Sequence, residues 1–580
     1  MQFYLNGYPE PPRLPATTDV LIVGAGPAGL LLAAQLATFP DVRCVVIDRR
    51  DGPLEVGQAD GVACRTVEMF ETFGLAQRLI HEGYRVNEVA FWRPDPKDPA
   101  RIVRTGRIDD VEEGISEMPH MIVNQARMLG YLRDRLRPGD LFYGLRATGV
   151  DIDPGGVTVT VEPGRQIRAS YVVGCDGAHS TVREAIGRRL VGDSADQYWG
   201  VLDVLAVTDF PDIRLKSVIQ SSRGSILVIP REGGYLVRLY IELGAERPPN
   251  PSPETLLEVA NRILQPYAIE VKNVGWWTVY EIGQRLCDGF DDGGEQPRVF
   301  IAGDACHTHS AKAGQGMNVS MADAFNLGWK LGAVLRGTAP PAILRTYSAE
   351  RQRVARQLID FDREFAGSFS ARPDDFQEYF REQGRFTAGL SVRYEPSMLT
   401  APPAHQHLAS GFPIGMRFHS APVVRVADAK PMHLGHAARA DGAWRLYAFA
   451  DRSRARFLGF CDFLTSDGSP LTRFTPPDAD PDAVIDVRAI LQQPHREVAV
   501  DELPPVLQPR KGPYRLVDYE KVFAGDDIFT ARGVDREQGC VVVVRPDQYV
   551  ANVLPLDAYE ELDVFLSGVL VGFRSIGERR

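Results

Sequence analysis

The chain has fewer basic than acidic residues, few cysteines and no long apolar run that glycine or proline does not interrupt, and each of these features argues against a class of protein. Its 580 residues include 65 basic and 76 acidic ones, which give a formal net charge of -11. Nucleic acid and anionic membranes attract basic surfaces, so we expect neither as a partner. The seven cysteines form no Cys-x-x-Cys pair, which argues against a disulfide framework or a metal site.

One uncharged stretch, residues 20–39, is long enough to suggest a membrane span. Three glycines and Pro27 divide it, so we expect a strand and the start of a helix instead. The opening run Met1 to Asn6 has neither a basic start nor an apolar core, so we expect no secretory signal and a cytoplasmic protein. A composition with 44% hydrophobic and 24% charged residues is typical of a folded globular protein, and the length suggests about two to four domains.

The first positive signal is a glycine-rich turn between an apolar strand and a helix. The strand is predicted over 19–23, the turn is Gly24-Ala25-Gly26-Pro27-Ala28-Gly29, and the helix is predicted from about Pro27 to Leu36. The first glycine permits the tight bend, the second lets a pyrophosphate approach, and the third lets helix and strand pack closely. Asp48 follows the next predicted strand, 44–47, where a carboxylate can accept a hydrogen bond from a ribose hydroxyl. The predicted dinucleotide contacts are Gly24, Gly26, Pro27, Ala28, Gly29, Asp48 and Arg49.

Two more glycine-bearing motifs follow along the chain. A strand-like run at 169–174 leads into Gly174-Cys175-Asp176-Gly177, and another at 299–301 leads into Ala302-Gly303-Asp304-Ala305. Together the three motifs resemble the pattern of the flavin-dependent aromatic hydroxylases of the p-hydroxybenzoate hydroxylase and phenol 2-monooxygenase type. The resemblance implies a monooxygenase that binds FAD and uses a reduced nicotinamide and O2 to hydroxylate a phenol through a flavin C4a-hydroperoxide.

The same resemblance implies a fold of mixed α/β and α+β class. We expect a Rossmann-like FAD-binding domain over 1–198 and 286–400, an inserted β-sheet substrate domain over 199–285, and a thioredoxin-like C-terminal domain over 413–580. Strand-like runs between 200 and 241 support the inserted sheet, and runs at 444–449 and 540–544 support the last domain. Because the last domain has no Cys-x-x-Cys pair, we expect a structural or dimer-forming role for it, and hence a homodimer.

Several cofactor contacts follow from the family pattern alone. Arg65 matches an arginine that lies near the flavin, and Gln125 matches a glutamine that contacts its polar chain. Asp176 belongs to a motif that lines the channel used by flavin and nicotinamide. Gly303 and Asp304 belong to the motif that holds the ribityl chain.

The third motif continues into the predicted start of a helix that runs from about 320 to 335. Backbone amides at such a start suit the electron-rich edge of a reduced, anionic flavin, and the residues concerned are Gly314, Gly316, Met317 and Asn318. The family usually has proline where this chain has Ala311, so loop rigidity is expected to differ. Arg285 is a further candidate flavin contact, with a structural salt bridge as the alternative. We interpret Cys306 and His307 as part of a turn beside the cofactor rather than as a metal or thiol site.

No second glycine-rich βαβ unit is visible for the nicotinamide. The family also lacks one, since the reductant is used transiently. The resemblance favours NADPH, and NADH stays open.

Within the family, the resemblance is to members that convert 3-hydroxybenzoate to 3,4-dihydroxybenzoate. It implies four substrate contacts, namely Asp60, His120, Lys216 and Tyr240. A buried aromatic acid needs its charge compensated, which Lys216 and His120 can do. Asp60 can accept the phenolic proton directly or through Tyr240, provided that burial raises the pKa of Asp60.

Each substrate contact also has a plain structural interpretation: Lys216 as a solvated strand residue, His120 in a surface turn, Tyr240 in the core, and Asp60 as a loop cap. A hydroxylase of uncharged phenols would need no substrate role for Lys216 or His120. A flavin halogenase would need a Trp-x-Trp-x-Ile-Pro signature, which the sequence lacks. A non-catalytic FAD-binding protein stays the third alternative.

Overall fold

The structure is a computed structural model that describes residues 13–244, 250–308, 315–368 and 383–573. The predictions for Gly314 and Ala311 fall outside these residues. None of the described helices is long and apolar enough to cross a membrane.

The first sheet has seven strands among the described residues. They are, in spatial order, Leu141–Phe142, Cys44–Ile47, Thr17–Val23, Arg165–Gly174, Gly156–Val161 and Ala147–Asp153, with Val299–Ile301 also paired to Arg165–Gly174. Ile47, Val23, Gly174 and Ile301 are register partners in parallel strands. All three glycine motifs therefore begin at one edge of the sheet, which is where α/β folds bind nucleotides.

Helices cover this sheet. Pro27–Leu36 begins within the first motif, as predicted, and packs against Gly316–Leu335, which begins four residues before its predicted start. The other helices of this half of the chain are Cys64–Thr72, Ala76–Glu82, Gln125–Arg133, Thr181–Ala185, Pro253–Ile263 and Arg345–Ser368. Single 3-10 turns occur at Gly303–Ala305 and Pro341–Leu344.

The second sheet has eight strands among the described residues, and it meets the first sheet at the cavity described below. In spatial order they are His307–Thr308, Ile269–Cys287, Leu190–Thr208, Val237–Gly244, Gly224–Pro230, Lys216–Ser221, Glu88–Pro94 and Ile102–Asp109. The last two strands precede the predicted sheet in sequence and join it by pairing with Lys216–Ser221 and with each other. Gly61–Val62, His120–Ile122 and Tyr84–Val86, in that spatial order, form a separate small sheet.

The third sheet lies in the C-terminal part. Its strands are Lys430–His433, Pro422–Arg425, Val522–Ala524, Ile485–Leu491, Trp444–Phe449, Cys540–Val544 and Val550–Leu554. Side chains alternate along Trp444–Phe449, with Leu446 in one apolar core and Tyr447 in another. The helices are Gly384–Thr387, Ala455–Thr465, Pro470–Phe474, Asp526–Ala531 and Tyr559–Val569; Arg510–Lys511 and Leu516–Val517 form a hairpin, and 3-10 turns occur at Gln406–Leu408, Leu434–Ala437, His495–Glu497, Val500–Glu502 and Pro505–Leu507. This mixed α/β architecture agrees with the predicted fold class.

A buried ionic cluster joins helix Gly316–Leu335 to the C-terminal sheet. The Arg545 guanidinium donates to both Glu350 carboxylate oxygens at 2.6 and 3.0 Å, and the Lys330 ammonium donates to Glu350 at 2.9 Å. Asp547 provides a second carboxylate for Arg545 at 2.7 Å. Burial lowers the pKa of Lys330 to about 8, while Arg545 and Lys330 hold the pKa of Glu350 well below its usual range despite burial. The cluster depends on every charge keeping its partner.

Replacing Glu350 by glutamine (E350Q) keeps the side-chain volume and removes the charge that Lys330 and Arg545 share. A buried cation that loses its partner is costly, so we expect the free energy of unfolding of the holoenzyme in urea to fall by about 3 kcal/mol. Arg473→Met is the control, because that arginine is 39% exposed in its pair with Asp563 and should contribute under about 1 kcal/mol. Equal losses in the two variants would contradict a special role for the buried cluster.

Candidate active site

One cavity of about 690 Å³ lies where the carboxyl edge of the first sheet meets one face of the second. A cavity of this size is typical of small-molecule and cofactor sites. Fourteen of the predicted site residues line it: Gly24, Gly26, Pro27, Ala28, Asp48, Arg49, Asp60, Gln125, Asp176, Tyr240, Gly303, Asp304, Gly316 and Met317. The three motifs, which are far apart in sequence, therefore meet at one site.

The three glycines of the first motif lie in three different surroundings. Gly24 has φ +110°, and a Cβ there would lie 2.3 Å from the Cys175 carbonyl oxygen. A Cβ on Gly29 would lie 1.9 Å from the Gly24 carbonyl oxygen, so Gly29 serves helix packing and is not in the cavity lining. A Cβ on Gly26 would meet nothing within 4 Å, because Gly26 faces the cavity.

Two helix N-termini open into this cavity. Helix Pro27–Leu36 and helix Gly316–Leu335 both lack a side-chain cap and an acidic residue in the first turn. The backbone N–H groups of Ala28 and Gly29 in one helix, and of Gly316 and Met317 in the other, have no acceptor within their own helix and can bind an electron-rich ligand. One start lies beside the open position at Gly26, and the other lies beside Met317. This arrangement fits the pyrophosphate and the electron-rich ring of a flavin dinucleotide.

Asp48 holds the first turn in place. Its carboxylate accepts a hydrogen bond from the Ala25 amide at 2.6 Å and two from the Arg50 guanidinium at 2.9 Å. Burial opposes the charge, but these bonds hold the pKa of Asp48 below its usual value. Sequence analysis selected Arg49, which also lines the cavity, and missed the pairing of Arg50 with Asp48. A basic residue two positions after the carboxylate was the available signal.

Three further predicted contacts differ in how much capacity they keep for a ligand. The Gln125 side-chain oxygen accepts from the Gln58 and Ala59 amides at 3.0 and 3.3 Å, which leaves its NH₂ group for the cavity. Asp176 accepts from the Thr181 amide at 2.7 Å, and burial raises the pKa of this carboxyl. Asp304 is exposed to the cavity and makes no hydrogen bond within the part of the chain that the structure describes.

Besides Gly29, three predicted cofactor contacts within the described residues are absent from the lining. The buried Arg65 guanidinium binds Glu68 and Gln548, at 2.9 and 2.8 Å, so it joins the two halves of the chain. Asn318 accepts from the Ala63 amide at 2.9 Å and fixes that turn. Arg285 is exposed, although its register partner Thr308 lines the cavity.

The predicted turn at Cys306 and His307 directly follows the third motif, and both residues are fully buried. His307 Nε2 and Asp323 Oδ2 are 2.8 Å apart, and the Arg351 guanidinium donates to the other oxygen of Asp323 at 2.7 Å. The same aspartate accepts from the Gly303 amide at 3.2 Å. His307 therefore supports the motif from within the core.

Asp60 and Tyr240, the two predicted catalytic residues, lie together on the cavity wall. The Tyr240 hydroxyl is 3.4 Å from Asp60 Oδ1, and burial and the neighbouring carboxylate raise the pKa of Tyr240 to about 12. Tyr240 is thus a neutral phenol that can donate. Arg238 and Arg231 lie 3.3 and 3.5 Å from Asp60 Oδ2, and sequence analysis identified neither.

These two arginines are fully buried and share a second carboxylate. Asp203 accepts from Arg238 at 2.7 Å and from Arg231 at 3.0 Å. Burial disfavours the charge of Arg238, but Asp60 and Asp203 hold its pKa well above the usual range. The Asp60 carboxylate therefore lies beside two permanent cations.

His120 and Lys216 lie together, and Asp110, which the sequence pattern did not indicate, contacts both. Asp110 Oδ1 accepts from the Lys216 ammonium at 2.6 Å, and Asp110 Oδ2 is 2.7 Å from His120 Nδ1. Despite burial, this pairing keeps the pKa of Asp110 far below its usual range. None of the three lines the cavity. Sequence analysis missed Asp110, which resembles an ordinary solvated acid after a strand.

The register of the second sheet relates the two polar groups. Tyr240 pairs with Leu227, and Leu227 pairs with Val218. Because paired residues share a face and side chains alternate along a strand, Lys216 faces the same side as Tyr240. Two strand spacings, about 10 Å, separate their strands. Leu227 and Ile229 provide an apolar surface between the two groups.

The second sheet adds cavity residues that sequence analysis did not select. Val201, Trp276, Thr278 and Tyr280 all line the cavity, and Arg238 lies 5.1 Å from the Trp276 ring centroid. The alternation of Trp276, Thr278 and Tyr280 along one strand was the available signal.

Comparison with known proteins supports a flavoprotein. The chain matches the FAD binding domain family over residues 17–362 and the phenol hydroxylase C-terminal dimerisation domain family over 392–573. It is 54% identical to 3-hydroxybenzoate 4-monooxygenase of Comamonas testosteroni, over 98% of this chain and 100% of that protein. It is also 35% identical to the phenol 2-monooxygenase FsqG of Aspergillus fumigatus, over 96% and 97% of the two chains.

Two solved structures share the fold. The flavin-dependent monooxygenase PieE in complex with FAD and substrate has a TM-score of 0.70 at 19% identity, covering 95% of this chain and 98% of that one. Aklavinone-11 hydroxylase with FAD and aklavinone has a TM-score of 0.69 at 21% identity, with the same coverage. Because the sequence identities are this low, the likeness to these two structures shows a common fold only.

The open position at Gly26 generates a test that separates cofactor binding from folding. Gly26→Ala should leave the thermal unfolding midpoint of the FAD-free protein unchanged, because the added Cβ meets no protein atom within 4 Å. It should weaken FAD binding at least about tenfold, since the methyl group occupies the approach of the pyrophosphate. Gly29→Ala is the matched comparison and should lower the unfolding midpoint itself. Unchanged FAD affinity in Gly26→Ala, measured by flavin fluorescence, would contradict this assignment.

Proposed function

The chain belongs to the FAD-dependent monooxygenases related to phenol hydroxylase, and we propose that it converts 3-hydroxybenzoate to 3,4-dihydroxybenzoate with NADPH and O2. The observation that carries the choice of substrate is the pair of polar groups on one face of the second sheet. Tyr240 and Asp60 suit a phenol, Lys216 and His120 suit a carboxylate, and apolar surface lies between them. The name of the 54% identical relative agrees with this choice.

The carboxylate of the substrate needs a cationic partner at the protein, because this end of the binding site is poorly solvated. Lys216 and His120 have side chains that are only 14% and 16% exposed. Asp110, which is 2% exposed, holds both in one orientation. We propose that the substrate carboxylate binds Lys216 and His120 from the side opposite Asp110, because a buried carboxylate without a cationic partner is costly.

The hydroxyl end must hold a phenol and increase the electron density of its ring. The Tyr240 hydroxyl donates to Asp60, so its oxygen can accept a hydrogen bond from the substrate hydroxyl and orient it, and the phenolic proton passes to Asp60 directly or through Tyr240. Arg238 and Arg231 lie within 3.5 Å of Asp60, and their positive charge stabilises the one negative charge that proton transfer moves from Asp60 to the phenol. Electron density then rises at the carbon ortho to the hydroxyl and para to the carboxylate, which is carbon 4.

Bound FAD would supply the redox chemistry, namely activation of O2 after reduction by NADPH and transfer of one oxygen atom to the ring. The residues that would hold it are the motif glycines, Asp48, Gln125 and Asp304, together with the two open helix N-termini. The apolar wall around Tyr240 includes Val201 and Trp276 and limits the access of water to the reacting carbon.

Turnover of matched substrates tests this proposal. We expect 3-hydroxybenzoate to stimulate NADPH oxidation and to give 3,4-dihydroxybenzoate, identified by chromatography and mass, while 3-methylphenol reacts weakly. Lys216→Met should lower kcat/KM for 3-hydroxybenzoate by about 100-fold, because the buried carboxylate of the substrate loses its cationic partner. The same substitution should change kcat/KM for 3-methylphenol little.

Three outcomes would count against it. Strong turnover of neutral phenols would favour the hydroxylase of uncharged phenols, which the phenol 2-monooxygenase relative represents. Oxidation of NADH in preference to NADPH would correct the reductant. If no aromatic compound stimulated the oxidation of NADPH or NADH, the proposed hydroxylation would be wrong.

We further propose that the enzyme is a homodimer formed through residues 392–573, the part that matches the dimerisation domain. The hairpin at Arg510–Lys511 and Leu516–Val517 presents unusually exposed apolar side chains, with Tyr514 at 83% and Leu516 at 67% exposure. Exposed apolar groups of this kind are typical of protein interfaces.

Sedimentation velocity tests the dimer. Leu516→Glu should shift the wild-type dimer toward monomer, because a charge in an apolar interface is poorly solvated. Val191→Glu, at another residue of 67% exposure, is the control and should leave the dimer intact. A wild-type monomer at micromolar concentration would contradict the proposal.

A further inference from the structure

The chain between two residues of the carboxylate end has no regular secondary structure. Asp110 directly follows strand Ile102–Asp109, and His120 begins strand His120–Ile122. We call residues 110–120 the connecting segment. Its two ends are Asp110, whose carboxylate binds Lys216, and His120, whose imidazole contacts the same carboxylate. The placement of the connecting segment therefore sets the geometry of this end of the pocket.

The C-terminal part of the chain holds the middle of the connecting segment. The Arg417 guanidinium donates to the Ile115 carbonyl oxygen, and His419 Nε2 lies 3.1 Å from the Gly114 carbonyl oxygen. Burial and the neighbouring Arg417 lower the pKa of His419 to about 4, so at neutral pH it is a neutral imidazole that donates. Ile115 is buried, and a buried carbonyl needs a donor.

A third contact secures the end of the segment that leads to His120. His436 Nε2 lies 3.2 Å from Glu117 Oε1, and the Glu117 side chain is only 7% exposed. Burial opposes the charge of Glu117, but His436 holds its pKa below the usual range. All three anchoring residues, Arg417, His419 and His436, lie within the 392–573 match to the dimerisation domain.

Arg417 contacts the connecting segment both directly and through another residue, Glu68. Its side chain is 5% exposed, and its Nε lies 3.5 Å from Glu68, a residue of helix Cys64–Thr72. Glu68 also accepts from the Ser116 hydroxyl at 2.8 Å, so Arg417 reaches the connecting segment by two routes. Glu68 keeps Arg65 as a partner at 2.9 Å, so removing the charge of Arg417 would not leave Glu68 unpaired.

We infer that the C-terminal domain positions the carboxylate-binding end of the substrate pocket, and that Arg417 is a positioning residue for the aromatic acid. The inference rests on the proposed function for the identity of the ligand. Arg417 holds Ile115, the connecting segment holds Asp110 and His120, and these hold Lys216. The domain thus contributes to substrate selection as well as to assembly.

Arg417→Met in the FAD-loaded enzyme tests this inference. The dissociation constant of 3-hydroxybenzoate, measured by its perturbation of the flavin spectrum, should rise about tenfold. The constants for 3-methylphenol and for FAD should stay unchanged, because only the carboxylate end is displaced. In the Lys216→Met background, Arg417→Met should have little further effect, since coupled residues are not additive. Arg473→Met, in the same domain but paired with Asp563, is the control and should bind the acid normally.

Amide hydrogen exchange provides a readout that does not depend on the substrate. Without any aromatic ligand, Arg417→Met should increase exchange within residues 110–120 and not in helix Pro27–Leu36. Unchanged exchange there, equal weakening of the acid and of 3-methylphenol, or full additivity with Lys216→Met would each overturn the inference. If the wild-type enzyme does not bind 3-hydroxybenzoate, the proposed substrate is wrong, and the exchange measurement alone decides the positioning role.

Discussion

The site depends on backbone segments that approach one another more closely than side chains permit. A Cβ on Gly29 would lie 1.9 Å from the Gly24 carbonyl oxygen, and one on Gly24 would lie 2.3 Å from that of Cys175. This contact holds the first helix against the sheet, so that its N-terminus opens into the cavity. Parallel pairing then brings the other two motifs to the same edge. The cofactor site is thus a consequence of packing that only glycine allows.

Charge is the second constraint, because the second sheet buries ionic groups at both ends of one apolar surface. Asp60 lies beside Arg231 and Arg238 at the hydroxyl end, and Asp110 lies beside Lys216 at the other. Each buried charge has a partner, as its desolvation requires. A ligand with a phenol at one end and a carboxylate at the other fits both polar groups, whereas a neutral phenol fits one. The C-terminal domain takes part in this arrangement through the connecting segment.

Local patterns predicted the elements that carry the cofactor site. The predicted helix Pro27–Leu36 and strand Cys44–Ile47 agree with the structure, because glycine spacing and apolar runs are local signals. Long-range contacts carried no such signal. Arg65 was expected near the flavin, but it binds Gln548, which lies 483 residues away. Asp110, Arg231 and Arg238 likewise acquire their partners only when distant strands pair, so neither spacing nor composition indicated them.

The proposed function places the flavin and the hydroxyl end of the aromatic acid in one cavity, which Asp60 and Tyr240 line. An anaerobic titration of the FAD-loaded protein with 3-hydroxybenzoate, followed by flavin absorption, tests it most directly. We expect one FAD per chain and a saturable shift of the flavin bands, because the ligand replaces water beside the bound ring. Stoichiometric FAD with bands that no hydroxybenzoate perturbs would contradict a shared cavity.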